Sequence, residues 1–192
     1  MDEEMMLLVS WLAEYLRRSE QQLQCFHKYE SQVEGWFTGE LFCFLDREIR
    51  EGRSRLSGFE RQAVCHIGGG YIKIDLKLRF HEPDSVAWVE LKHWHIGIQN
   101  NQLYDCHWYF TTANHSSCVK PDVEKLLRIP EDGDKFMLVL LTKNPGSEGW
   151  NSGVEEFNTM FHPLSVHSLT NPSDYPEYFF LGLLHVLEEV QH

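Results

Sequence analysis

Apolar residues recur at helical spacing from the beginning of the chain. Met6, Leu7, Trp11, Leu12, Tyr15 and Leu16 follow a 3.6-residue repeat, with Arg17, Arg18 and Glu20 between and beyond them. The pattern predicts a helix over about 3–29, and Glu14 with Arg18 adds an i,i+4 ion pair. A second stripe, Leu41, Phe42, Leu45 and Ile49, predicts a helix over 35–51, stopped by Gly52. The period then changes from 3.6 to 2. A strand is predicted over 59–67, and Gly68-Gly69-Gly70 reads as a turn. From Tyr71 to Phe80 the alternation is nearly perfect: Ile72, Ile74, Leu76, Leu78 and Phe80 on one face, Tyr71, Lys73, Asp75, Lys77 and Arg79 on the other. Pro83 marks a turn over 81–85, and 86–92 is predicted to return as the second strand of a hairpin.

Further along, helices are predicted over 99–110 and 122–127, with a turn at Asp132-Gly133-Asp134. The unbroken apolar run Phe136–Leu141 marks a central strand covered on both faces. A Gly-, Ser- and Asn-rich loop over 144–153 and a short strand over 165–169 follow. A last amphipathic helix over 178–190 offers Phe179, Leu181, Leu183, Leu184 and Val186 to the core. This order predicts an α/β (α+β) sandwich, a central mixed sheet flanked by helices. The 192 residues suit one domain, with a helical segment over 1–34 packed on a core of 35–192.

Composition narrows the setting. No apolar run approaches the roughly 20 residues that span a bilayer, and the Met-Asp-Glu-Glu start lacks the basic opening of a signal peptide. Membrane insertion and secretion are therefore not expected. Five scattered cysteines without CxxC spacing suggest neither a disulfide framework nor a zinc knuckle, so a reducing, cytoplasmic setting is expected. The formal charge of −12 counts against the simplest nucleic-acid partner, because phosphate backbones reward Lys and Arg.

The chemistry concentrates on the predicted hairpin. Val86, Trp88, Glu90 and Lys92 share one face of the returning strand, since side chains alternate with period two. Pairing of the hairpin brings Asp75 beside Glu90, so two carboxylates and an ammonium group converge on rigid strands. Hard divalent cations take one or two such carboxylates and complete their shell with water. A lysine alongside stabilises developing charge on a phosphoryl group. Glu-x-Lys on an exposed edge strand is commonplace, and Lys there often only protects the edge; here Glu90 shares its face with Val86 and Trp88 and not with solvated charges alone.

The pattern Ile74-Asp75, then Val89-Glu90-Leu91-Lys92, resembles the PD-(D/E)XK nuclease superfamily. The resemblance covers roughly 35–142 and lacks the Pro that usually precedes the Asp. It implies a restriction-endonuclease-like fold and a Mg²⁺- or Mn²⁺-dependent nuclease acting on phosphodiester bonds, DNA foremost. Asp75, Glu90 and Lys92 would be the catalytic set, with Asp75 and Glu90 as metal ligands. It further implies a supporting acid and ligand on the preceding helix, which Glu40 matches, and a Gln on the helix after the Glu-x-Lys strand, for which Gln102 is best placed. Lys73 and His93 complete the candidate substrate contacts. Many nucleases of this type dimerise to cut both strands. The rival expectation is a catalytically silent module of the same fold that binds a protein partner, which the acidic charge and abundant aromatics suit; a third is a hydrolase of another phosphate ester.

Overall fold

The structure, a computed structural model, describes residues 1–29, 33–81, 84–99, 102–112, 115, 118–143, 150, 161–169 and 178–187. Three helices open the chain: α1 (Asp2–Arg17), α2 (Glu20–Lys28) and α3 (Glu34–Glu51). The single N-terminal helix expected from the sequence is thus two. After Leu16 the apolar repeat lapses, and the turn tightens through bonds from Arg18 N to the Tyr15 carbonyl and from Ser19 N to the Leu16 carbonyl. Gly52 ends α3 in the left-handed conformation, at φ 60°, as the stop signal implies.

The strands β1 (Leu56–Ile67), β2 (Gly70–Phe80) and β3 (Ser85–Trp94) follow as a meander. The next stretch departs from expectation. Instead of one helix over 99–110 the chain makes a small hairpin, β4 (Gly97–Gln99) with β5 (Gln102–Tyr104), and only then α4 (Cys106–Thr111). Asp105 accounts for the late start, because its carboxylate accepts a bond from Trp108 N at 2.8 Å and caps the helix there. Next come α5 (Val119–Leu127), β6 (Asp134–Lys143), β7 (Phe161–Ser168) and β8 (Tyr178–Val186). The loop expected over 144–153 lies outside the described residues except at Trp150.

The last element corrects the sequence reading: 178–186 is a strand, not a helix. Phe179, Phe180, Leu181, Leu183, Leu184 and Val186 are all buried, on alternating sides. A helix would bury one stripe; β8, paired on both edges with β6 and β7, sends Phe179, Leu181 and Leu183 into one core and Phe180, Leu184 and Val186 into the other. Gly182 is required within it, since a Cβ there would meet the Trp150 ring at 2.6 Å.

The main sheet has the order β1-β2-β3-β6-β8-β7, with β3 and β6 parallel and the other neighbours antiparallel. The fold is therefore mixed α/β, as expected, with helices on both faces. On one face α1, α2 and α3 bury Leu8, Leu12, Leu16, Phe37, Phe44 and Leu45 against Leu78, Val89, Phe136, Leu138 and Leu183. On the other face α4 and α5 bury Phe110, Val119, Val123 and Leu126 against Trp88, Trp94, Met137 and Val139. Each large apolar side chain buried this way contributes about 1.5–3 kcal/mol. No helix among the described residues is long and apolar enough to cross a membrane.

One irregularity shapes the molecule. The β2–β3 ladder stops at Leu76↔Val89, while β1 and β2 stay paired out to Ile67↔Gly70. Beyond the stop, Ile72 and Ile74 join the second core although Leu76 and Leu78, of the same parity, belong to the first. Gln62, opposite Asp75 in the constant register, has φ 52°, an uncommon backbone for a non-glycine residue. The β1–β2 arm thus leaves the sheet at Asp75, and the strands fork there.

Candidate active site

The fork is held by the two carboxylates that the sequence singles out. Asp75 N, which lost its ladder partner, donates to Glu90 Oε1 at 3.4 Å, and Leu91 N donates to Asp75 Oδ2 at 3.0 Å. Side-chain oxygens thus replace main-chain carbonyls across the gap, as buried backbone donors require. Glu90 and Lys92 project from the same face of β3, toward α5, and Asp75 meets them from β2.

Two residues of α5 complete the cluster, and the sequence reading did not identify either. Asp122 Oδ2 lies 2.6 Å from Lys92 Nζ, and Lys125 Nζ lies 2.6 Å from Glu90 Oε2 and 3.8 Å from Asp122 Oδ1. Asp122 did leave a signal. Val119, Val123 and Leu126 form the buried stripe of α5, and Asp122 lies within it, an acid at a core position. Lys125, one turn on, carries the balancing charge.

Burial dominates the electrostatics. Glu90 is 2% exposed. Desolvation, followed by the neighbouring Asp75 carboxylate, pushes its pKa up to about 8, against the opposing pull of Lys125. Asp122 is raised too, by burial first, although Lys92 and Lys125 both draw it down. Three carboxylates face two ammonium groups, so the fully ionised cluster holds one surplus negative charge in a largely dry setting. Among the described residues no group of three His, Cys, Asp or Glu converges as a metal cage. Two carboxylates do meet, however, and Mg²⁺ uses one or two with waters completing its octahedron. The donors present therefore fit a hard divalent cation.

The other sequence candidates lie elsewhere. Glu40, on α3, accepts a hydrogen bond from the Tyr15 hydroxyl at 2.7 Å within the helical layer and takes no part in the fork network. His93 belongs by alternation to the opposite face of β3, where its register partner Leu140 sits in the first core. Burial, with His95 nearby, lowers its pKa to about 4, so it is neutral at physiological pH. Lys73 is exposed on the β1–β2 arm beyond the fork, between Ile72 and Ile74 of the second core. Gln102 falls in β5 and not on a helix, and its side chain lies outside what is described.

No family model matches the chain, and no curated protein and no solved structure matches it.

Proposed function

We propose that the chain is a divalent-metal-dependent nuclease that hydrolyses phosphodiester bonds, DNA foremost, on a PD-(D/E)XK-like site. The observation that carries the proposal is the fork. Asp75 and Glu90 bridge two diverging strands with their carboxylates, and the Lys92 ammonium stands on the Glu90 face of the same strand.

In this reading Asp75 and Glu90 hold the cation, which when bound polarises a phosphoryl oxygen and lowers the pKa of water. Lys92 places a fixed positive charge where the attacked phosphoryl group becomes more negative, in a site with little competing water. Asp122 orients Lys92 through the contact between its Oδ2 and the Lys92 ammonium. Lys125, 2.6 Å from Glu90 Oε2, draws the Glu90 pKa down against burial and so favours the ionised form that a cation needs.

The proposal is tested by incubating the protein with single- and double-stranded DNA and with RNA, in Mg²⁺, in Mn²⁺ and in chelator. Cleavage that needs metal and disappears in Lys92→Ala supports it. Full activity in Asp75→Ala, Glu90→Ala or Lys92→Ala sinks the assignment. No cleavage of any substrate in either metal, together with failure to bind metal, shifts the reading to the silent, partner-binding module.

A further inference from the structure

The charges at the fork are paired in a way that bears on how a cation enters. Both β3 residues are tied to α5: Lys92 Nζ lies 2.6 Å from Asp122 Oδ2, and Glu90 Oε2 lies 2.6 Å from Lys125 Nζ. The other Glu90 oxygen, Oε1, accepts from Asp75 N at 3.4 Å. Oε2 is thus the Glu90 atom left to a cation, and an ammonium group already sits on it. A magnesium ion binds carboxylate oxygen at about 2.1 Å, so on the same oxygen it would stand about 4 Å from that ammonium. Two positive charges at that separation repel strongly where little water screens them.

Lys125 is built to be the partner that leaves. Its side chain is 29% exposed, against 16% for Lys92, 10% for Asp122 and 2% for Glu90. The ammonium rides on a flexible four-carbon stem. It also has a second carboxylate close by, Asp122 Oδ1 at 3.8 Å, one turn back on the same helix. The helix itself can stay in place, because Val119, Val123 and Leu126 anchor it in the second core.

We propose that the Lys125 ammonium holds the place of a divalent cation at Glu90 and, when the cation binds, exchanges Glu90 for Asp122. The inference rests on the metal site proposed above and adds its regulation. Lys125 keeps the buried carboxylate supplied with a positive partner until the metal replaces it. After the exchange Lys92 and Lys125 share one carboxylate, and each ammonium keeps donors for a phosphate oxygen.

The test uses the full chain at pH 9, above the Glu90 value of about 8, and reads amine reactivity and metal affinity, not cleavage. Trace labelling with acetic anhydride, followed by mass spectrometry, compares each lysine in chelator and in saturating Mg²⁺. Lys120, on the same helix and 3.9 Å from Glu124, is the internal reference. Lys125 labelling relative to Lys120 is expected to rise at least threefold with Mg²⁺, because its close ion pair is lost. Calorimetric titration of Lys125→Met gives the second reading, with circular dichroism confirming its fold. Lys125 draws the Glu90 pKa down, so if ammonium and cation shared Glu90 the variant would bind Mg²⁺ more weakly. Exchange predicts binding at least threefold tighter, since the variant has no ion pair to give up, while Lys120→Met binds as wild type does. Mg²⁺ binding by wild type with Lys125 labelling unchanged, or weaker binding by Lys125→Met, overturns the exchange and leaves the metal site standing. Absence of Mg²⁺ binding by wild type overturns both.

Discussion

Glu90 concentrates the behaviour expected of the site. A carboxyl group must lose its proton to ligate a metal, and below about pH 8 the buried Glu90 holds one. Affinity for Mg²⁺ or Mn²⁺ is therefore expected to rise about tenfold per pH unit below that value and to level off above it, as one proton is released per ion; calorimetric titration at several pH values measures this. A flat profile would show that Glu90 is not a ligand. The same shift bears on stability. With a folded pKa of about 8 against an ordinary 4.5, Glu90 binds its proton more tightly in the folded state, so its contribution falls as pH rises through that window. The Tm of Glu90→Gln relative to wild type is accordingly expected to improve steadily between about pH 5 and 8. The convergence of Asp75, Glu90 and Lys92 was legible from the alternation of β2 and β3, because strand period fixes which side chains share a face. Asp122 and Lys125 were not, because no short-range rule says which helix packs over a given strand; only the acid embedded in the stripe of α5 marked the position.

At the scale of elements, the meander of β1, β2 and β3, the helix α3 and the central strand β6 follow from periodicity and turn residues. The failures have identifiable causes. The run from Phe179 to Val186 is apolar on both sides, which periodicity cannot separate from a buried helix; pairing with β6 and β7 decides it, and only the tertiary fold supplies those neighbours. In 97–105, Gly97 at φ 144° and the cap at Asp105 confine the helix to its last turn and a half. These assignments make a specific expectation. Gly182→Ala sets a methyl group 2.6 Å from the Trp150 ring, and overpacking of this kind costs about 1–3 kcal/mol. A chemical-denaturation midpoint unchanged from wild type would contradict the placement of Trp150 against β8. The fork itself was half legible: pairing put Asp75 beside Glu90, but nothing local announced that the ladder would stop there and leave their oxygens to complete it.

For the whole molecule, the sheet separates two helical layers with different roles. The layer of α4 and α5 closes over the fork and supplies its two unanticipated charges; the layer of α1, α2 and α3 holds the Glu40–Tyr15 bond. The net charge of −12 gives no long-range attraction for a polyanion. Under the proposed function, recognition of a phosphodiester then rests on local groups, the cation at Asp75 and Glu90 and the ammonium of Lys92, and not on a general basic surface. The most direct test of that claim is the single-turnover cleavage rate of Lys92→Met beside wild type, in Mn²⁺ that saturates both. Removing one preorganised charge from such a site slows the chemical step by about 10²–10³ or more. A loss of at least that size is expected with Mn²⁺ still bound; cleavage by Lys92→Met at the wild-type rate would contradict the role proposed for Lys92.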